Sequence, residues 1–122
     1  ISKQGVGVYF KKSADNRIHD NTFSNCAYGM IMDGLYAFPG GNKIYRNIFT
    51  GNATGLRCTD TQNRNRIEAN EFYKGKDEGI SVSSDSNIVI NNKTYDHHDI
   101  ITSGIKVKGR WNVIAKNQTF RE

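Results

Sequence analysis

The chain has 122 residues, 36% of them apolar, with 12 glycines, one proline and a formal net charge of +5. That length allows at most one ordinary domain, and the apolar fraction is too low for a wide globular core. No run approaches the ~20 apolar residues of a membrane helix, and no basic-then-apolar leader is visible within the chain. A basic balance can mean nucleic acid but equally suits an acidic polysaccharide or cell surface. The basic residues are dispersed rather than blocked, so most are expected to form a solvated mixed surface, and neither nucleic acid nor a membrane is the expected partner.

Period-two alternation marks short strands, and they come in threes. The first triplet points Val8 and Phe10 inward around Tyr9, then adds Ile18 and Phe23. The second has Met30 and Met32 around Ile31, then Ile44 and Phe49. The third has Leu56 and Cys58 around Arg57, then Ile67 and Phe72. The fourth has Ile80 and Val82 around Ser81, then Val89. The fifth has Ile105 and Val107 around Lys106, then Ile114. In the last two triplets Tyr95 and Phe120 take up the third-strand aromatic column, displaced by one residue.

Each triplet opens on a glycine (Gly7, Gly29, Gly55, Gly79, Gly104), and its middle strand is bracketed by two asparagines five residues apart. The second asparagines, at 21, 47, 70, 92 and 117, are spaced by 26, 23, 22 and 25 residues. A period in the low twenties marks a solenoid. The fold class expected is all-β, a right-handed parallel β-helix of about five coils of 22–26 residues with three short strands each. The hand follows from the crossover rule for parallel strands. Asparagine suits the corners because it tolerates left-handed backbone and bonds its own chain, and its amide can also bond the asparagine one coil away.

Two connections are long. Asp33 to Gly41 swells the turn after the second triplet's first strand, and Tyr95 to Ser103 precedes Gly104. Insertions in solenoids gather on binding faces. Tyr36 and Phe38 in the first insertion either stack on sugar rings, pack against another subunit or fold back over the wall. His97 and His98, with Asp96 and Asp99 beside them, have the ionisation needed for acid–base catalysis. The outward residues Arg57 and Lys106 flank Ser81 at roughly 10 Å from each other, two strand spacings. Lys108 and Arg110 extend that basic surface. Asp60, Glu68, Glu71 and Asp77 are candidate paired carboxylates for glycoside hydrolysis, although charge pairing with Arg64 or Arg66 explains them better. Cys58 occupies a core position and Cys26 follows a third strand, so a disulfide is not expected. Three Asn-x-Thr acceptor patterns start at Asn52, Asn92 and Asn117, and the repeat accounts for them better than glycan attachment.

The unit Asn42-Lys43-Ile44-Tyr45-Arg46-Asn47-Ile48-Phe49 and its copies resemble the pectate-lyase-like right-handed β-helix superfamily. That resemblance implies one of three roles: a polysaccharide-recognising segment of phage tailspike or appendage type, a secreted polyuronate lyase or C5-epimerase, or a structural shaft. Any activity would be that of a lyase, epimerase or glycoside hydrolase. Asp77 to Asn87 is similar to a segment of the chondroitinase-B and alginate lyase family, which binds calcium. Glu78 matches one acid there, but the family's lysine is missing and no metal site is expected. Tyr95 to Asp99 is similar to a mannuronan epimerase signature at Asp96, His98 and Asp99, without its proline. The resemblance also implies an extracellular or virion-surface setting, flanking coils or further subunits, and a homotrimer. Residues 1–122 are expected to be one β-helix segment of a longer protein, because its terminal coils lack capping repeats.

Overall fold

The computed structural model describes residues 5–11, 13–38, 40–95 and 104–120. The first coil comprises β1 (Val6–Lys11), β2 (Arg17–His19) and β3 (Thr22–Ser24); the second, β4 (Tyr28–Phe38), β5 (Lys43–Tyr45) and β6 (Ile48–Thr50). The third comprises β7 (Thr54–Gln62), β8 (Arg66–Glu68) and β9 (Glu71–Tyr73). The fourth is β10 (Ile80–Val82), β11 (Ile88–Ile90) and β12 (Lys93–Tyr95); the fifth is β13 (Ile105–Val107), β14 (Val113–Ala115) and β15 (Gln118–Phe120). Every strand pairs in parallel with its counterpart one coil away, giving three five-stranded sheets. We call them sheets 1, 2 and 3 in the order the chain meets them.

Parallel pairing in register stacks like on like. Sheet 1 contributes two inward columns, Val8–Met30–Leu56–Ile80–Ile105 and Phe10–Met32–Cys58–Val82–Val107. Sheet 2 contributes Ile18–Ile44–Ile67–Val89–Ile114. In the middle coils these side chains are completely buried. Phe23, Phe49 and Phe72 stack inside sheet 3 with ring centroids 5.0 and 4.6 Å apart, close to the ~4.8 Å spacing of parallel strands. The glycine column makes room for them. A Cβ on Gly55 would strike the Phe72 ring and lie 2.5 Å from the Gly79 carbonyl.

The aromatic column leaves the core after Phe72. The inward residues that follow are Thr94 and Thr119, whose hydroxyls bond each other at 3.1 Å. Tyr95 and Phe120 instead point outward, Tyr95 stacking on Tyr73 at 4.6 Å and Phe120 on Tyr95 at 4.7 Å. The displacement expected from hydrophobicity is therefore a change of face. A one-residue offset in a strand reverses its side chain.

Two asparagine ladders hold the corners on either side of sheet 2. The Oδ1 of Asn65 accepts both the backbone N–H and the Nδ2 of Asn42, each at 3.0 Å. Asn65 gives the same pair to Asn87 at 2.9 and 3.0 Å. The second ladder repeats this: Asn47 donates twice to Asn70 at 3.0 and 3.1 Å, and Asn70 twice to Asn92 at 3.0 and 3.1 Å. The remaining Nδ2 proton reaches back one coil, as from Asn70 to the Ile44 carbonyl at 2.9 Å. Asn52 makes an isolated rung at the third corner, accepting from the Cys26 N–H and donating to the Phe23 carbonyl. With Asn52 and Asn92 buried and their amides committed, neither is open to glycan attachment.

The asparagines themselves are not the left-handed residues. The residue immediately before each of the ten ladder asparagines is: Asp15, Asp20, Gly41, Arg46, Arg64, Ala69, Ser86, Asn91, Trp111 and Lys116, with φ between 54 and 70°. A non-glycine there costs about 1–2 kcal/mol, and ladder bonds at roughly 1 kcal/mol each offset it. Two further expectations change. Most of the Asp33–Gly41 insertion is strand, because β4 runs on to Phe38 and pairs with β7 as far as Gln62. Asp60 accordingly lies in β7 rather than in a turn.

Asn70→Ala is expected to destabilise the fold by about 2–4 kcal/mol, because it orphans the Asn47 donors and the Ile44 carbonyl inside the wall. Ala69→Gly next to it should stabilise by up to about 1 kcal/mol by relieving the left-handed alanine. Thermal melts of the two variants check both; a neutral Asn70→Ala would contradict the ladder's role.

Candidate functional site

The inward columns are fixed by packing, so chemistry has to sit on outward ones. On sheet 1 the outward column is Tyr9–Ile31–Arg57–Ser81–Lys106, which is the Arg57–Ser81–Lys106 order expected from period two. A shallow cleft of about 280 Å³ opens over its upper part, lined by Tyr28, Arg57, Ser81 and Lys106 on the sheet, by Ser83 and Lys108 just past the ends of β10 and β13, and by Asp77 and Glu78 ahead of β10. A second hollow continues down the same face over Tyr9, Asp33 and Thr59, sharing Arg57 and Ser83 with the first.

The cleft's groups are held in place. Arg57 donates to the Tyr28 hydroxyl at 3.2 Å, its guanidinium 5.7 Å from that ring's centroid. Lys106 Nζ lies 3.8 Å from Glu78, which is the more buried partner. In the lower hollow, Asp33 accepts from the Tyr9 hydroxyl at 2.9 Å and from Thr59 at 3.0 Å. The Asp33 bond raises the Tyr9 pKa, so this phenol stays a donor. The face thus presents cations, hydroxyls and aromatic edges with one negative flank. That set suits a hydroxylated, negatively charged ligand.

The other expected residues distribute differently. Arg110 is not in the cleft. Its backbone N–H bonds Asp85 at 2.7 Å, and its guanidinium lies over the exposed Trp111 ring at 4.8 Å, on the corner between β13 and β14. Tyr36 and Phe38 fall on the extension of β4. Asp96, His97, His98 and Asp99 lie outside the described residues. The carboxylates weighed as glycosidase acids are on different walls: Asp60 on sheet 1, Glu68 on sheet 2 and Glu71 on sheet 3. Glu68 is paired with Arg66 through contacts of 3.1 and 3.2 Å, and that bond lowers its pKa. Among the described residues no three His, Cys, Asp or Glu gather as a metal site. Tyr28, which sets Arg57, went unnoticed because it precedes the glycine from which each repeat was counted. Its register with Val6 and Thr54 is the signal that would have found it.

Beneath the cleft sits Cys58, fully buried, 3.3 Å from the Ser84 hydroxyl and accepting from Asn65 Nδ2 at 3.4 Å. Burial pushes its thiol up to about 11, so it is a packing residue and not a nucleophile. Both cysteines are free.

The architecture and its repeats define a β-solenoid. The family model described as "right handed beta helix region" matches residues 1–121, and the chain belongs to that family. No curated protein and no solved structure gives a significant match.

In the native protein a thiol reagent should modify Cys26 readily and Cys58 only after denaturant is added. The raised thiol favours the folded state below pH 9, its ordinary value, and that contribution should fade between pH 9 and about 11. Fast modification of both cysteines at neutral pH would contradict the packing described.

Proposed function

We propose that this β-helix recognises an acidic polysaccharide along the outer face of sheet 1, in an extracellular or virion-surface protein of tailspike or appendage type. The observation that supports it best is the cleft over Arg57, Ser81, Lys106 and Lys108. Arg57 and Lys106 lie two strands apart with Ser81 on the strand between them, a separation of two strand spacings of about 4.8 Å along the solenoid axis. A sugar chain running along that axis would meet a cation or a hydroxyl at each of these coils. Arginine and lysine take the carboxylates, serines and Tyr28 take hydroxyls, and Asp33 accepts from ring hydroxyls in the lower hollow.

Recognition is favoured over turnover by the state of the charged groups. Two of the cleft's strongest groups are already engaged, Arg57 with Tyr28 and Lys106 with Glu78. Held cations position a carboxylate; β-elimination would further need a free base beside the C5 proton. The epimerase-like alternative rests on His98 with Asp96 and Asp99, and a structural shaft without surface chemistry is the third reading.

The test is binding and turnover on alginate, polygalacturonate and bacterial capsular polysaccharides. Binding without a rise in ultraviolet absorbance from unsaturated product is expected. Arg57→Ala/Lys106→Ala should weaken binding about 10- to 100-fold. Unchanged affinity in that variant would sink the cleft as the site. A rise in absorbance would favour a lyase instead, and inversion of uronate C5 configuration abolished by His98→Ala would favour an epimerase.

A further inference from the structure

Sheet 2 carries a different surface. Its outward residues in the first three coils are Arg17, Lys43 and Arg66, in register on adjacent strands. In the next two coils the same column continues as Ile88 and Val113. Three like charges at strand spacing repel one another, and directly opposed like charges destabilise a sheet. On this face only Arg66 has a carboxylate partner, Glu68. The nearby Asp20 is taken by Arg46 at 3.1 Å and His19 at 2.6 Å. Arg17 and Lys43 are exposed and have no ion-pair partner among the described residues. Sheet 1 differs, since Arg57 and Lys106 there both have partners.

A groove of about 420 Å³ runs over these residues, lined by Arg17, Lys43, Tyr45, Arg66 and Glu68. Tyr45 is braced in it, its ring stacked on His19 at 4.8 Å. We propose that this groove is a second polyanion site, binding a carboxylated glycan chain laid along the solenoid axis and reading about three successive units. The cationic column takes carboxylates that repeat near the coil spacing. Glu68 lies one column away and accepts hydrogen bonds from sugar hydroxyls, while Tyr45 offers an aromatic edge to the ring. Glu68 as a hydrogen-bond acceptor also favours a glycan over duplex DNA, whose sugar–phosphate backbone has no free hydroxyl to donate to it. Ile88 ends the column, which bounds the site at three coils. The site is independent of the sheet 1 cleft and on a different wall.

The experiment uses the 122-residue chain with polygalacturonate as probe and dextran and duplex DNA as controls. Arg17→Gln/Lys43→Gln should weaken polygalacturonate binding about tenfold and flatten the salt dependence of its affinity by about two charges. Because the substitutions remove repulsion, the variant's Tm should stay level or rise. Arg57→Gln/Lys106→Gln is measured beside it. If that variant binds normally while the sheet 2 variant does not, the cleft reading fails and this proposal stands. Unchanged binding and salt slope in Arg17→Gln/Lys43→Gln would overturn the site. Equal binding of dextran, or tighter binding of DNA, would overturn its ligand class, and a lowered Tm would overturn the claim that the column is uncompensated.

Discussion

The structure depends on one interaction: an asparagine side chain that replaces a strand neighbour at a corner. At a bend the sheet ladder cannot continue, and backbone groups inside the wall would be left unpaired. The asparagine carbonyl accepts the N–H and the amide of the coil before it, and its own amide reaches back to that coil's carbonyl. Corners are therefore bonded along the axis as strands are. The left-handed residue before each asparagine turns the chain. Its energetic cost is tolerable only because the amide bonds follow directly. Coil length varies by several residues, but the Asn-to-Asn interval around sheet 2 does not vary, so every insertion must fall elsewhere.

From that constraint the core follows. Two residues after each second asparagine comes the inward position of sheet 3: Phe23, Phe49, Phe72, Thr94 and Thr119. The glycines opposite are fixed by the phenylalanine rings they face. Where threonine replaces phenylalanine, Gly104 remains close-packed, since a Cβ there would collide with the Thr94 side chain. The aromatic stack does not vanish but moves outside as Tyr73, Tyr95 and Phe120, where it shields the strands from solvent.

Coil number, strand register, the inward columns of sheets 1 and 2 and the outward order Arg57–Ser81–Lys106 were legible because period two and the asparagine spacing both specify them. The Tyr95 and Phe120 positions were misread because the preference for buried aromatics outweighed the count from Asn92 and Asn117. The Asp33–Gly41 stretch read as a turn because glycine and proline cluster at its end, although its start continues a strand. The cleft was only partly legible. Arg57 and Lys106 follow from alternation, whereas Tyr28 is the first residue of β4, ahead of the repeat's glycine, and Glu78 reaches the cleft from the corner before β10, where no periodicity points. The sheet 2 cations were hidden because Arg17, Lys43 and Arg66 come from separate coils and align only once the register is known. Outward columns are free of the ladder's constraint, and that freedom is what lets one scaffold carry a paired cationic cleft on one wall and an unpaired cationic column on the next.

The most direct measurement of this account is amide hydrogen exchange resolved at the asparagines. If the ladders hold the corners, the backbone N–H groups of Asn42, Asn47, Asn65 and Asn70 will exchange as slowly as core strand amides such as those of Ile44 and Ile67, although they sit at bends. Exchange at the rate of solvent-facing turns would show that the corners are not bonded along the axis and would contradict the account.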